Sequence, residues 1–268
     1  MSIIDEIKEA AKGIKNIIAV GSGKGGVGKS TVAANLAIAT ARQGYKTAVL
    51  DADIYGPTMP SFFGIYQKPL VLKDKMIPPE KYGIKIMSLG LMIDDFEPVI
   101  WRGPMIMGMI KQFFTDVDWG DIDYMYIDLP PGTGDAPLTI AQALPLKGAI
   151  IVATPQAAAA KTAARAAGLF KQLGTPVLGA VINMAYLKCA HCGRDNAVFS
   201  SSGEKTLTEN AGLKIIARLP VYGGFMEEIT PGEVRNISND READEEFSKI
   251  AGIVTDEIKK GGGGNERR

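Results

Sequence analysis

The sequence predicts a doubly wound α/β fold, in which a mostly parallel sheet carries helices on both faces. Apolar strand-like runs alternate with helical stretches along most of the 268 residues, which is typical of this class. Several runs, such as residues 149–153 and 176–182, are apolar on both faces, as a sheet buried between two helix layers requires. A glycine-rich loop at residues 23–31 joins the first strand to the first long helix, and ligands bind at such strand ends in this fold.

The strands are short apolar runs, of which the first is Ile-Ile-Ala-Val at residues 17–20. We predict strands near residues 16–21, 46–51, 84–89, 123–128, 148–153, 177–182 and 214–219. The first long helix is the alanine-rich stretch after the glycine loop, and we predict helices near residues 29–43, 102–115, 136–144, 157–173, 203–211 and 241–259. The last helix has one apolar face, which we expect to pack on the sheet rather than on a membrane because its polar face is acidic.

The composition limits the class of protein. The formal net charge is zero and 46% of the residues are hydrophobic, so nothing indicates a nucleic-acid partner. No apolar run approaches the roughly 20 residues that a membrane span needs, and residues 1–9 form a charged amphipathic helix rather than a signal peptide. Two cysteines are too few for a disulfide framework and fit a reducing cytoplasm. We expect one domain over residues 1–260, with an insertion near 185–200 that contains both cysteines, and a disordered tail at 261–268.

The glycine loop has the spacing of a phosphate-binding site. It reads Gly23-Lys24-Gly25-Gly26-Val27-Gly28-Lys29-Ser30-Thr31. Glycines let successive backbone N–H groups turn inward toward a polyphosphate such as that of ATP or ADP. Lys29 would reach the β- and γ-phosphates, Ser30 would ligate Mg²⁺, and the helix that follows would point its positive dipole end at the phosphates.

Carboxylates follow two of the predicted strands. Asp51 and Asp53 lie two residues apart on an extended segment and could bind a magnesium-bound water and an attacking water. Asp128 ends the strand at 123–128, where a carboxylate can approach Mg²⁺ through water. The loop after Asp128 has two prolines and two glycines, and its position suggests a switch that responds to the γ-phosphate.

A second loop lysine, Lys24, is either a solvated surface charge or a cation that reaches the nucleotide of a second copy. The run from Lys24 to Thr31 resembles the deviant Walker A signature of the MinD/ParA/nitrogenase iron-protein superfamily of P-loop NTPases. The resemblance implies that Lys24 acts across a dimer, that Asp53 orients the hydrolytic water and that Asp51 supports Mg²⁺ indirectly. It also implies an adenine contact at Asn183, with the segment around Pro220 packing on the base.

Cys189 and Cys192 form a Cys-x-x-Cys pair, for which several explanations compete. A thioredoxin-like context for a redox dithiol is missing, and a structural zinc site in one chain lacks a ligand even if His191 takes part. Two inert thiols remain an alternative. The last explanation is that two copies contribute two thiolates each to a four-cysteine site, suited to a 4Fe–4S cluster or to Zn²⁺. We expect His191 to be exposed rather than a ligand.

Four segments together resemble the Mrp/ApbC family of iron–sulfur carrier ATPases. They are residues 51–57, Trp101-Arg102-Gly103-Pro104, residues 128–135 and the Asn-Met…Cys-x-x-Cys-Gly stretch at 183–193. The family implies a cytoplasmic homodimer that assembles a labile 4Fe–4S cluster on the cysteine pair and passes it to apo-proteins in an ATP-dependent way, with weak ATPase activity. The N-terminal extensions of some bacterial and eukaryotic members are absent from this sequence.

Two other functions remain open at this stage. A MinD/ParA-type positioning ATPase has the same nucleotide motifs, although the cysteine pair and the acidic last helix argue against it. A nitrogenase-like electron donor also bridges a cluster, but its cysteines come from separate loops. The methionines at 87–109 are either core residues or an adaptable contact surface.

Overall fold

The computed structural model describes residues 2–92, 102–189, 191–200, 202–222 and 241–262. The α-helices in these ranges are α1 Ile3–Ala10, α2 Lys29–Arg42, α3 Met59–Phe63, α4 Gly103–Thr115, α5 Asp135–Ala143, α6 Ala157–Gln172, α7 Ser202–Lys205 and α8 Arg241–Gly262. The β-strands are β1 Ile14–Ser22, β2 Thr47–Asp51, β3 Leu70–Leu72, β4 Lys75–Ile77, β5 Glu80–Lys81, β6 Ile84–Ser88, β7 Ile122–Asp128, β8 Leu146–Ala153, β9 Val177–Ile182, β10 Leu187–Lys188, β11 Asp195–Asn196 and β12 Ile215–Arg218.

The central sheet confirms the predicted doubly wound class. Its eight strands run in the order β12-β9-β8-β1-β7-β2-β6-β5, and all neighbours are parallel except β5 and β6. The chain moves from β1 toward one edge through β2 and β6, and then returns through β7 to build the other half. The order therefore reverses around β1, and the loop after β1 opens at this switch point.

Helices cover both faces of the sheet. Apolar residues of α1, α4, α5 and α6 form one buried cluster with the strands, and those of α2, α3 and α8 form the second. The helix α2 is buried on nearly all sides between Val32 and Thr40, which agrees with its alanine-rich sequence. In α8, Phe247, Ile250 and Val254 are buried, so the prediction that this helix packs on its own sheet is confirmed.

Several elements differ from the sequence prediction. The short strands β3, β4, β5, β10 and β11 were not predicted, since two or three residues give no measurable periodicity. The helix predicted at 203–211 is divided into α7 and a π-helical turn, Thr206–Asn210. The helix α8 continues to Gly262 and so includes the first glycines of the predicted tail; residues 263–268 lie outside the described ranges. None of the helices within these ranges is both long and apolar enough to cross a bilayer.

Candidate functional site

The carboxyl ends of four neighbouring strands meet at one edge of the sheet. In the parallel register Val20 of β1 lies beside Asp128 of β7, and Asp128 lies beside Asp51 of β2. Asp51 in turn lies beside Ser88, the last residue of β6. Since β1 continues into the glycine loop, the structure brings the loop and the two predicted strand-end carboxylates together.

The glycine loop packs so closely on its surroundings that side chains are excluded at two positions. At Gly28 the φ angle is +81°, and an added Cβ would lie 2.1 Å from Asn183 Nδ2. At Gly23 an added Cβ would lie 2.1 Å from the backbone carbon of Thr162 in α6. The buried Asn183 supports the loop, because its Nδ2 donates a hydrogen bond to the Val27 carbonyl at 2.9 Å.

The loop lysine is paired with the carboxylate at the end of β7. Lys29 Nζ lies 2.5 Å from Asp128 Oδ1 and 3.3 Å from Asp53 Oδ2. The Ser30 hydroxyl donates to Asp128 Oδ2 at 2.5 Å. Lys29 is 6% exposed and Asp128 is fully buried. Burial raises the pKa of Asp128, while the charge and hydrogen bond of Lys29 oppose this rise.

The carboxylates of Asp51 and Asp53 have different environments. Asp51 is fully buried and accepts hydrogen bonds from the backbone N–H groups of Asp53 and Met59 and from the Ser88 hydroxyl. Burial, with the nearby Asp128 charge, raises the pKa of Asp51 to about 7. Asp53 instead faces Lys29 beside the loop. Asp51 thus anchors the segment that positions Asp53, and an indirect role of Asp51 at Mg²⁺ stays a prediction.

A small cavity of about 280 Å³ lies over the loop. Its lining includes the loop residues Lys24 to Thr31 except Val27, together with Asp53 and Phe62. Lys24 is only half-exposed and its Nζ lies 3.4 Å from Gln156 Oε1, at the residue that precedes α6. The cavity is lined by the groups that phosphate oxygens require, which are backbone N–H groups, lysine and hydroxyls.

The segment predicted to contact adenine lies next to Asn183. The Leu219 N–H donates to the Ile182 carbonyl, and the Ala185 N–H donates to the Leu219 carbonyl, both at 2.8 Å. This places the buried Pro220 close to the end of β9. Because the Asn183 amide nitrogen is bonded to Val27, its contact with a base stays a prediction.

The two cysteines lie in the loop of a short β-hairpin that follows β9. The strands β10 and β11 pair antiparallel, Cys189 N–H donates to the Arg194 carbonyl at 2.9 Å, and Gly193 N–H donates to the Cys189 carbonyl at 2.8 Å. Gly193 has a φ of +69°, a left-handed conformation that glycine adopts readily. The hairpin is therefore closed tightly, with Cys189 half-buried and Cys192 exposed.

The thiol environment favours the thiolate that binds metals. Hydrogen bonds from the Arg194 backbone, the Arg194 side chain and Cys189 lower the pKa of Cys192. His191 is exposed, as predicted. Among the residues that the structure describes, no group of three or more His, Cys, Asp or Glu side chains could hold a metal ion.

Some residues of the site were not found from the sequence. Ser88, at the end of β6, contacts Asp51, and Gln156, after β8, contacts Lys24. Both contacts join segments that are distant in the sequence, and neither residue belongs to a distinctive motif. Of the methionines in the 87–109 stretch, Met87 is buried, whereas Met105 is 48% exposed. The stretch thus combines core and surface positions, and residues 93–101 within it lie outside the described ranges.

A glycine loop that leads into a helix beside strand-end carboxylates defines a P-loop NTPase of the MinD-like class. The structure of the cell-division ATPase MinD from Pyrococcus furiosus has a TM-score of 0.63 and 20% identity, over 90% of this chain and 98% of that one. The fold predicted from the sequence is therefore confirmed.

Within that class, the chain belongs to the ParA family described as NUBPL iron-transfer P-loop NTPases, whose model matches residues 13–255. The iron–sulfur cluster carrier protein of Aquifex aeolicus is 41% identical over 256 residues, which cover 94% of this chain and 70% of the relative. A nucleotide-binding protein from Archaeoglobus fulgidus, solved in complex with ADP and with cobalt, has a TM-score of 0.72 and 37% identity over 92% of each chain. The resemblance to iron–sulfur carrier ATPases noted in the sequence is thereby confirmed.

Proposed function

We propose that this protein binds a 4Fe–4S cluster and transfers it to apo-proteins in an ATP-dependent way, as a cytoplasmic homodimer with weak ATPase activity. One observation carries the proposal: a Cys-x-x-Cys pair stands on a hairpin that follows β9, whose end also supports the nucleotide loop through Asn183. A cargo site and a nucleotide site that share one strand end can influence each other.

The cysteine pair fits a site shared between two copies. A cubane cluster takes four thiolates, and each chain offers Cys189 and Cys192. A two-fold axis through the cluster would bring together two identical hairpins, which satisfies the ligand count with no further residue. The lowered pKa of Cys192 and its exposure both favour a cluster that is assembled and released rather than one that is permanently buried. The same donor set accepts Zn²⁺, which competes for such sites.

The residues around the loop suit Mg²⁺ and ATP. Ser30 and Asp128 place a hydroxyl and a carboxylate 2.5 Å apart, and oxygen donors of this kind are the ligands that Mg²⁺ prefers, often through water. When bound, Mg²⁺ neutralises charge on the phosphates. Lys29 now neutralises Asp128, so nucleotide binding would draw Lys29 from the carboxylate toward the β- and γ-phosphates. Asp53, beside Lys29, would then be free to orient the attacking water.

Lys24 explains why a single copy would hydrolyse ATP slowly. It lines the phosphate cavity, and its Nζ lies 3.4 Å from Gln156 Oε1 rather than at a neighbouring carboxylate. In a dimer that closes over the nucleotides, Lys24 would reach the partner's phosphates and stabilise the transition-state charge, an effect worth about 10³-fold or more for cations supplied in trans. ATP binding would thus favour the closed pair, and hydrolysis would loosen it and release the cluster.

Anaerobic reconstitution with iron and sulfide tests the cargo assignment. The wild-type protein should show a 4Fe–4S absorption band and donate its cluster to an apo-ferredoxin-type acceptor. The double variant Cys189→Ala/Cys192→Ala should lose both properties and still bind ADP, while the matched variant His191→Ala should keep them. A full cluster on the double variant would exclude the carrier function.

A further inference from the structure

A second surface of the molecule has the properties of a protein-docking edge. It is the hairpin of β3 and β4, which lies far along the chain from both cysteines. Leu70, Val71 and Leu72 are 71%, 65% and 60% exposed. Three successive exposed apolar side chains place apolar surface on both faces of one strand, and native proteins normally protect such edges.

The outer edge of β3 carries free main-chain groups. Met76 of β4 uses both of its backbone groups on the other side: its N–H donates to the Asp116 carbonyl and its carbonyl accepts from the Asp118 N–H. Val71 pairs with Met76 in the antiparallel register. Val71 is therefore at a non-hydrogen-bonded position, and its N–H and C=O point away from β4. Within the described residues, no backbone hydrogen bond joins this edge to another strand.

The hairpin is a stable platform rather than a loose loop. Lys73 and Asp74, with φ angles of +49° and +61°, form a two-residue turn that matches strand twist. Lys75 Nζ is bonded to the Thr115 carbonyl, and the contact of Met76 with residues 116–118 extends the hairpin to a third segment. That segment leads into the amino end of β7, so the hairpin lies at the end of the sheet opposite the nucleotide loop.

We propose that the edge of β3 binds an extended segment of a partner polypeptide as an added strand, apolar at alternate positions and acidic at its ends. Main-chain hydrogen bonds to Val71 would provide affinity, and the side chains of Leu70 and Leu72 would provide apolar contact area for the added strand. The positive charge of this region favours an acidic partner, since there are four lysines and two carboxylates between residues 68 and 81. Acidic ends complement this surface, whereas a second copy would bring two lysine-rich hairpins together. The proposal does not depend on the cluster or on ATP.

A cleft beside the hairpin provides additional room for such a segment. It has a volume of about 460 Å³ and lies between residues 64–70 and residues 77–80. Tyr66, on its wall, is 54% exposed and can contact a side chain at the end of the added strand. In a dimer closed over the nucleotides this surface would remain accessible, because it lies at the other end of the sheet.

The test uses a short synthetic peptide of alternating valine and threonine with glutamates at both ends. Titrated into ¹⁵N-labelled protein, it should shift the Val71 amide resonance and slow its hydrogen exchange by about tenfold or more. Val71→Pro removes the outward N–H without breaking a bond to β4, so it should weaken peptide binding, followed at the amide resonances of the neighbouring Leu70 and Leu72, while ADP binding is kept. Val71→Thr retains the N–H and should bind like the wild type.

Further variants keep the test decisive. If Val71→Pro does not fold, Leu72→Glu places a repelling charge at an exposed position and should weaken binding of the same peptide. A peptide with lysines at both ends should bind more weakly than the acidic one. The proposal is overturned if the acidic peptide does not bind, if Val71→Pro binds it normally, or if the edge instead drives self-association of the protein that Val71→Pro removes.

Discussion

The buried pair of Lys29 and Asp128 predicts a stability that depends strongly on pH once the lysine is removed. Lys29→Met keeps an unbranched side chain that is one atom shorter, but it leaves the fully buried Asp128 carboxylate without its cation. Removing one partner of a buried ion pair typically costs about 3–5 kcal/mol of unfolding free energy. We expect a loss in this range for the nucleotide-free protein at pH 8.

The loss should shrink in acid. Burial already raises the pKa of Asp128, and Lys29 is the main opposing influence; without it the pKa of the folded state rises further. A carboxyl group whose folded-state pKa exceeds its unfolded value binds more protons when folded, so stability increases as pH falls between the two values. The gain is up to about 1.4 kcal/mol per pH unit.

Urea unfolding of nucleotide-free protein at pH 8 and pH 5.5 measures both effects. The double variant Lys29→Met/Asp128→Asn removes both charges of the pair, and it should recover most of the stability and lose the additional pH dependence that Lys29→Met introduces. A loss below about 1 kcal/mol for Lys29→Met, or an equal loss at both pH values, would refute a buried pair at this position.

Three further predictions follow from single positions. Gly28→Ala should impair both folding and ADP binding, because φ is positive and the new Cβ would meet Asn183; Gly168→Ala in α6, outside the loop and with no atom within 4 Å of the added Cβ, is the control, and thermal unfolding with ADP titration compares them. Because burial raises the pKa of Asp51 to about 7, the contribution of its carboxyl group to stability should fall as pH rises from about 4 to 7. Asp51→Asn should remove this contribution in urea unfolding; an unchanged pH dependence would contradict it. Lys24→Ala should lower ATP turnover by about 10³-fold with ADP affinity kept; normal turnover would place Lys24 outside the reaction.

The sequence predicted the central strands and the residues at their ends well, because long apolar runs and fixed motif spacing are local signals. Asp128 could be placed next to the loop because it ends a clear apolar strand, β7, which pairs in parallel with the strand β1 that leads into the loop. The different environments of the Asp51 and Asp53 carboxylates could not be predicted, since that of Asp51 depends on Ser88 across the β2–β6 pair and on the Met59 backbone.

The β3–β4 hairpin was also not predicted from the sequence, because its turn and its strands lack the usual local signals. Its turn uses Lys73 and Asp74 at positive φ, where glycine or asparagine would have given a turn signal. Three apolar residues are too few to distinguish a strand from a loop. Similarly, the bond from Asn183 to Val27 joins segments that are far apart in sequence, so a strand-end Asn alone could not indicate that it supports the loop.

Native mass spectrometry of the anaerobically reconstituted protein tests the central proposal most directly. Two chains should carry one 4Fe–4S cluster, because Cys189 and Cys192 from each copy supply the four thiolates. The Cys189→Ala/Cys192→Ala variant should yield no cluster-bearing species. A cluster of this type on a single chain would contradict a site shared between two copies.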